Sequence, residues 1–123
     1  MIKVYIAGPM RGIPEFNFPA FHDAARRLRE AGYHVFSPAE FDAIFSPMIE
    51  DPNGLVEAHP IHDYIRRDTH VIINELKPPH DGIVLLPGWE GSRGAYAERA
   101  LAVWCGLRIW NLEDLVRDVT DQP

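Results

Sequence analysis

The sequence contains one cysteine, Cys105, among its 123 residues. A single thiol cannot close an intramolecular disulfide, and it cannot supply a cysteine-rich zinc module. No apolar run approaches the ~20 residues that a helix needs to cross a membrane. The first residues show no signal-peptide layout and lead directly into a strand-like pattern. We therefore expect a soluble cytoplasmic protein with no membrane partner.

Basic residues are in the minority. The 12 Lys and Arg against 18 Asp and Glu give a formal net charge of -6. Proteins that bind polymeric nucleic acid carry basic faces that meet phosphates, so this class of partner is not expected. A small phosphorylated ligand is compatible with this charge, because it needs only one local anion site.

The length and composition are those of one folded domain. Of the residues, 46% are hydrophobic and 24% are charged, which argues against disorder. We expect a single domain over residues 1–123. No internal repeat or linker divides the chain.

Strand-like and helix-like segments alternate. The segments that read as strands are residues 2–7, 33–36, 82–86 and 107–110. Helices are expected to start near Asn17 or Phe18, at Pro60, at Ser92 and after Asn111. Residues 39–58 hold several prolines and are interpreted as a long loop with at most one short helix, a candidate binding loop.

This order predicts an α/β fold: a single-domain Rossmann-like (flavodoxin-like) parallel sheet of four to five strands, with helices on both faces. Ligands of such sheets bind outside the carboxyl ends of the strands. Two loops that contain glycine, residues 8–12 and 87–91, leave those ends. The predicted site therefore lies on these loops.

Glu98 is a carboxylate on a helix face that is otherwise small or apolar. At helical spacing it shares that face with Gly94, Ala95, Leu101 and Ala102. A buried carboxylate needs a partner or a chemical role. The two readings of Glu98 are a functional carboxylate and a structural one that is hydrogen-bonded to a neighbour such as Tyr5 or Arg99.

Asp68 is a second candidate carboxylate. It lies three and four residues beyond Ile65 and Tyr64, which places it toward the apolar side of its helix. Asp63, in the first turn of the same helix, is interpreted as mainly structural, because acidic residues there complement the helix dipole.

Two features suit an anion. Ser92 stands at the N-cap of a helix two residues before Gly94, where free N–H groups can bind negative charge. Arg11 lies between Met10 and Gly12 in the first of the two loops, and arginine suits phosphate or carboxylate. The alternatives are a plain helix cap and a solvated surface arginine.

Trp89 could form the wall of a site for a planar ligand, or it could simply pack in its loop. His59 and His62 have helical spacing, but no further residue completes a ligand set, so we expect no metal site.

The chain resembles the nucleoside 2-deoxyribosyltransferase superfamily. The resemblance covers most of the chain and rests on three stretches in order: Tyr5-Ile6-Ala7-Gly8-Pro9-Met10-Arg11-Gly12, then Asp68, then Ser92-Arg93-Gly94-Ala95-Tyr96-Ala97-Glu98. Members have a first strand that ends in a Tyr-x-x-Gly pattern, an aspartate on a middle helix, and a Gly-x-x-x-Glu helix start with the nucleophile. The motifs are most similar to the 2'-deoxynucleoside 5'-monophosphate N-hydrolases and to an uncharacterised, phage-frequent branch.

The residue two positions before the glycine distinguishes the branches. Transferases of free nucleosides have an aspartate there for the sugar 5'-hydroxyl, whereas the monophosphate hydrolases have a serine for the phosphate. This chain has Ser92, together with the Arg11-Gly12 pair that the hydrolases place near phosphate. The resemblance thus implies hydrolysis of the N-glycosidic bond of a (deoxy)nucleoside 5'-monophosphate.

The resemblance also implies roles for individual residues. Glu98 would be the nucleophile, Asp68 would protonate or hold the departing base, and Tyr5 would orient Glu98. Substrate and phosphate would be bound by Gly8, Met10, Arg11, Gly12, Trp89, Ser92 and Gly94. No metal or redox cofactor is required, and a homodimer or higher homo-oligomer is expected.

Three alternatives stay open at this point. A deoxyribosyltransferase would exchange bases instead of using water. A nucleotide-binding module would keep Arg11 and Ser92 but would not depend on Glu98. A protein-interaction domain would use the Trp89 loop and bind no nucleotide.

Overall fold

The computed structural model describes residues 1–45, 49–51, 54–56 and 61–120. The helices and strands follow in the order β1 (Lys3–Ala7), α1 (Phe18–Glu30), β2 (His34–Phe36), α2 (Pro38–Phe45), β3 (Ile49–Asp51), β4 (Gly54–Val56), α3 (Ile61–His70), β5 (Gly82–Leu85), α4 (Arg93–Trp104), β6 (Arg108–Asn111) and α5 (Leu112–Thr120). Short 3-10 turns lie at Pro14–Asn17 and Trp89–Gly91, and a π-helical turn at Val71–Glu75 continues α3.

The central sheet has four strands in the order β2-β1-β5-β6, and all its pairs are parallel. Tyr5 in β1 stands opposite Phe36 of β2 and Ile83 of β5. The predicted Rossmann-like α/β fold with a parallel sheet is confirmed. Among the described residues, no helix is both long and apolar enough to cross a membrane.

Side chains of β1 alternate between the two faces of the sheet, as the period of a strand requires. Val4 and Ile6 belong to an apolar cluster with residues of α1 and α5. Tyr5 and Ala7 belong to a second cluster with residues of the π-helical turn and α4. Helices therefore cover both faces, and the face that carries Tyr5 is covered by the π-helical turn and α4.

The strand order reverses between β1 and β5. From β1 the chain goes outward to β2 on one side, and then to β5 and β6 on the other. At such a point the two loops after the strands diverge and leave a crevice at the carboxyl ends. The loops start in close contact, since a Cβ on Gly8 would lie 2.8 Å from the Cβ of Leu86.

Two helix ends match the predicted glycines. Gly32 after α1 and Gly106 after α4 have φ of +98° and +78°, a left-handed conformation that glycine adopts without a steric cost. These glycines end each helix and direct the chain into the next strand.

The interpretation of residues 39–58 as a loop with at most one short helix was incomplete. The helix is α2, but β3 and β4 form an antiparallel hairpin in which Ile49 pairs with Val56. Strands of three residues are too short to show alternation, which is why the sequence pattern missed them. Pro47, Pro52, His59 and the predicted helix start at Pro60 lie outside the described residues.

The helix that carries Asp68 continues beyond α3. The chain stays helical through the π-helical turn to Glu75. The physical reason is burial, because Val71 and Ile72 pack in the cluster beneath Tyr5.

Candidate functional site

The Tyr5 hydroxyl donates a hydrogen bond to the Glu98 carboxyl, and Oη and Oε2 are 2.5 Å apart. Tyr5 comes from β1 and is fully buried. Glu98 comes from α4, where Ala95 and Ala102 on its face are buried as the sequence predicts. The bond to Tyr5 is the partner that a buried carboxyl requires.

Asp68 brings a second carboxyl to the same place from α3. Burial raises the pKa of both Tyr5 and Glu98, and the negative charge of Asp68 raises both further. A hydrogen bond with Tyr5 lowers the pKa of Asp68 itself. The structure therefore brings together all three predicted catalytic residues, which come from three different elements. We call Tyr5, Asp68 and Glu98 the carboxyl cluster.

Burial governs the protonation of this cluster. It raises the pKa of Glu98 from 4.5 to about 8, and the charge of Asp68 adds to this effect. It raises the pKa of Asp68 from 3.8 to about 6, against the opposing influence of Arg67. Between these two values the pair holds about one proton. One carboxyl can then act as an acid while the other acts as a base or nucleophile.

Ser92 caps α4 as predicted. Its Oγ accepts a hydrogen bond from the Ala95 backbone N–H at 3.2 Å. Gly94, two positions on, borders open space, because a Cβ built there would meet no atom within 4 Å. The helix N-terminus is thus open to a ligand at Gly94, whereas the Ser92 hydroxyl already has a partner.

The first loop shows different roles for its residues. The Met10 side chain packs against the apolar cluster on the face opposite Tyr5. Arg11 and Gly12 are exposed, and Gly12 has a φ of +80°. Gly8 is buried in its contact with Leu86. This loop therefore offers Arg11 and Gly12 to solvent and uses Gly8 and Met10 for packing.

Trp89 is half-buried and makes two ring contacts with α4. It stacks on Tyr96 with ring centroids 5.9 Å apart, and the Arg99 guanidinium carbon lies 5.3 Å from its centroid. These contacts support the packing interpretation of Trp89. They leave Tyr96, whose side chain is 58% exposed, as the aromatic at the surface.

Trp89 also lines a groove of about 330 Å³ at the carboxyl ends of β5 and β6. The lining residues are Leu85, Leu86, Pro87, Gly88, Trp89, Glu90, Asn111, Leu112 and Glu113. Among the described residues, none of the carboxyl cluster lines it.

Sequence reasoning missed two residues beside the cluster, Arg67 and Asp42. Arg67 Nε and Nη2 each lie 2.8 Å from Asp68 Oδ1, and Arg67 Nη1 lies 2.5 Å from Asp42 Oδ1. The available signal was Asp42, an acidic residue between the apolar residues Phe41 and Ala43. It was overlooked because the segment around it was interpreted as mostly loop.

No group of three His, Cys, Asp or Glu side chains in the described part of the chain could hold a metal ion. Of the two histidines considered for a metal, His59 lies outside the described residues.

The chain matches one family model over residues 2–111, which extends from the start of β1 to the end of β6 and includes the whole carboxyl cluster. Comparisons with curated proteins and with solved structures gave no match. The matched family is described as a domain of unknown function. The chain therefore belongs to the DUF4406 family.

Proposed function

We propose that this protein hydrolyses the N-glycosidic bond of a (deoxy)nucleoside 5'-monophosphate and releases the free base and the sugar phosphate. The observation that carries the proposal is the 2.5 Å hydrogen bond between Tyr5 and Glu98, next to the half-buried carboxyl of Asp68, on the strand β1 that borders the switch point of the sheet. Two carboxyls with separated proton affinities are what glycoside hydrolysis uses. The resemblance to the nucleoside 2-deoxyribosyltransferase superfamily supports the substrate class.

The higher pKa of Glu98 places the proton of the pair on Glu98 at rest, so the reactive form is the minor one in which this proton has moved to Asp68. In the first step the Glu98 carboxylate of that form attacks C1' of the sugar. A C–O bond forms, the C1'–N bond breaks, and the electron pair of that bond moves to the base nitrogen system. Asp68 supplies the proton that the departing base takes up. The product is a sugar-phosphate ester on Glu98 and a neutral base.

In the second step water attacks C1' of the ester. The bond to Glu98 breaks and returns the carboxylate, and the water proton goes to Asp68, which restores the starting state. Tyr5 holds one oxygen of Glu98 through its hydroxyl and so presents the other oxygen to the sugar.

The 5'-phosphate is proposed to bind at the open N-terminus of α4 and at the first loop. Gly94 borders open space there, and Arg11 and Gly12 are exposed on the loop after β1. A phosphate at a helix N-terminus is stabilised by backbone N–H groups and by the helix dipole. Ser92 would contribute by holding that terminus in place.

The protein is further proposed to act as a homodimer, in the cytoplasm where nucleotides occur. Large apolar residues are exposed on α3 (Ile61, Ile65), on the π-helical turn (Ile73) and on α4 (Tyr96, Val103, Trp104), and they are 52–87% exposed. The three on α4 are seven and eight residues apart and so share one face of that helix, and exposed apolar residues on one helix face are typical of an interface. Trp104→Glu should convert a dimer to a monomer in sedimentation velocity, and Arg26→Glu on the far face should not.

The test of the reaction is a panel of deoxy- and ribonucleoside 5'-monophosphates with the matching free nucleosides. Free bases are separated by liquid chromatography, and Glu98→Gln is the control because it keeps the shape of the side chain. We expect base release from monophosphates that the control lacks. Release only when an acceptor base is added would instead identify a transferase.

Two other outcomes would overturn the proposal. Binding of a monophosphate, seen as a raised melting temperature, without base release and without dependence on Glu98 would indicate a nucleotide-binding module. Neither release nor stabilisation by any member of the panel would leave the interaction-domain alternative.

A further inference from the structure

The carboxyl cluster is bordered by a buried ion pair that the proposed reaction does not use. Arg67 bridges Asp68 of its own helix and Asp42 of α2, with N to O distances of 2.8 Å and 2.5 Å. The Arg67 and Asp42 side chains are only 15% and 5% exposed. Burying a charge is costly unless it is paired, so this arrangement requires both partners.

Aromatic rings fix the position of the guanidinium. The rings of Phe41 on α2 and Tyr64 on α3 each have their centroid 5.4 Å from the central carbon of Arg67. Such contacts attract a cation through the electron-rich ring face. Arg67 is therefore held by residues of two helices, and Asp68 is held by Arg67.

We propose that Arg67 is a positioning residue for Asp68. It contacts the rings of Phe41 and Tyr64, pairs with Asp42, and holds the Asp68 carboxyl beside Tyr5. Its positive charge is thereby divided between the two aspartates. This inference rests on the proposed function for its catalytic meaning. Its structural content, the division of one cation between two carboxyls, can be tested without any substrate.

The division of charge has a consequence for the proton on Asp68. The groups that act on Asp68 are Tyr5 from β1, Asp42 from α2, Arg67 from α3 and Glu98 from α4. Arg67 lowers the pKa of Asp68, and Asp42 raises it. An undivided Arg67 would lower the pKa of Asp68 further and make its protonated form rarer. By taking part of the guanidinium, Asp42 increases the fraction of Asp68 that carries a proton.

Opposite effects from two adjacent side chains distinguish this role from a merely structural one. Asp42→Asn leaves Arg67 to Asp68 alone and removes a nearby negative charge, so the Asp68 titration should move to lower pH. Arg67→Met removes the stabilising cation, so the same titration should move to higher pH. Each shift should be about one pH unit or more, as expected for a charge in direct contact.

The experiment follows the carboxyl carbon of Asp68 by NMR against pH in the full chain labelled at aspartate, with Asp68→Asn to assign the signal. The matched controls are Asp63→Asn and Arg66→Met, which remove the same charges at neighbouring, more exposed positions of α3. Neither control should move the Asp68 titration. Arg67→Lys keeps the positive charge, so its Asp68 titration should lie closer to that of the wild-type chain than to that of Arg67→Met.

A buried partner left alone can destabilise the fold, so the double variant Asp42→Asn/Arg67→Met is included. It removes the pair without stranding either charge, and its Asp68 titration should lie between those of the two single variants. Shifts of the Asp68 titration in the same direction for both single variants would overturn the inference. It would also be overturned if the double variant folds and neither single variant moves the Asp68 titration further than the controls do.

The base-release assay separates this inference from the proposed function. Opposite titration shifts without base release from any variant would uphold the charge division and contradict the proposed hydrolysis. If the wild-type chain releases base, and the acidic side of its pH–rate profile is not moved by Asp42→Asn or by Arg67→Met, only the role of Arg67 is contradicted.

Discussion

The two faces of the sheet use the same packing rule but distribute charge in opposite ways. On the α1 and α5 face the core is apolar, with Val4, Ile6 and Phe21 fully buried. Its ion pairs, such as Arg27 with Glu113, lie at the surface. On the α3 and α4 face Tyr5 and Asp42 are buried and Glu98, Asp68 and Arg67 are half-buried, whereas large apolar side chains are exposed.

The difference separates stability from function. Apolar burial stabilises a domain without specific chemistry. Buried carboxyls reduce stability and are retained where chemistry needs shifted proton affinities. We therefore expect substitutions on the α1 and α5 face to change the free energy of unfolding, and substitutions in the carboxyl cluster to change activity most.

The largest change in stability is expected from Phe21→Ala. Phe21 is fully buried on the α1 and α5 face. Truncating a buried phenylalanine removes its transfer free energy and leaves a cavity, at a cost of about 3–5 kcal/mol. Urea denaturation should show this loss, and the folded fraction should keep its base-release activity per molecule. A loss of activity in excess of the unfolded fraction would contradict the separation of the two faces.

Glu98→Gln should stabilise the protein while abolishing activity. The raised pKa of Glu98 means that ionisation is penalised in the folded state, so stability falls as pH rises from about 4.5 to about 8. Glutamine lacks this penalty. The gain should be largest near pH 8 and close to zero at pH 4.

Thermal or urea unfolding at the two pH values measures that difference. A gain that does not depend on pH would mean that Glu98 is not a titrating buried group. Activity should depend on the titration of the same carboxyls. The plot of kcat/KM against pH should be bell-shaped, with its two limbs at about pH 6 and about pH 8.

Tyr5→Phe should have an intermediate effect. The hydrogen bond from Tyr5 lowers the pKa of Glu98. Because the substitution removes that bond, the Glu98 pKa should rise further. Stability should fall by about 1–2 kcal/mol through the lost bond. Activity at pH 7 should fall about 10- to 100-fold. Part of this loss should be recovered at higher pH, and a uniform loss across pH would contradict the role of Tyr5.

Arg27→Gln should have the smallest effect. Arg27 lies 3.0 Å from Glu113, whose side chain is 65% exposed. Exposed ion pairs contribute about 0–1 kcal/mol, and salt screens them. Chemical denaturation at low and high salt should show a small difference that disappears at high salt. A loss as large as that of Phe21→Ala would show that surface charge also supports this face.

The sheet and its helices could be predicted because their signals are local. Apolar runs such as residues 82–86 and glycines such as Gly32 and Gly106 mark elements within a few residues. The carboxyl cluster could be predicted in part, since Glu98 lies on an apolar helix face and Tyr5 begins the Tyr-x-x-Gly pattern. The β3–β4 hairpin could not, because each strand has only three residues.

The Arg67–Asp42 pair could not be predicted for a different reason. It joins side chains from two helices, and only the folded chain brings Asp42 next to Arg67. Trp89 is a similar case, because its contacts with Tyr96 and Arg99 depend on how the 3-10 turn meets α4. Contacts of this kind depend on packing between elements, which residue spacing within one element does not specify.

The most direct test of the central claim is to look for the covalent intermediate on Glu98. The full chain is mixed with a 2'-deoxynucleoside 5'-monophosphate, quenched in acid within milliseconds, and analysed by peptide mass spectrometry. The account predicts a sugar-phosphate adduct on the peptide that contains Glu98, and no adduct in Glu98→Gln. Base release without any adduct, undiminished in Glu98→Gln, would contradict it.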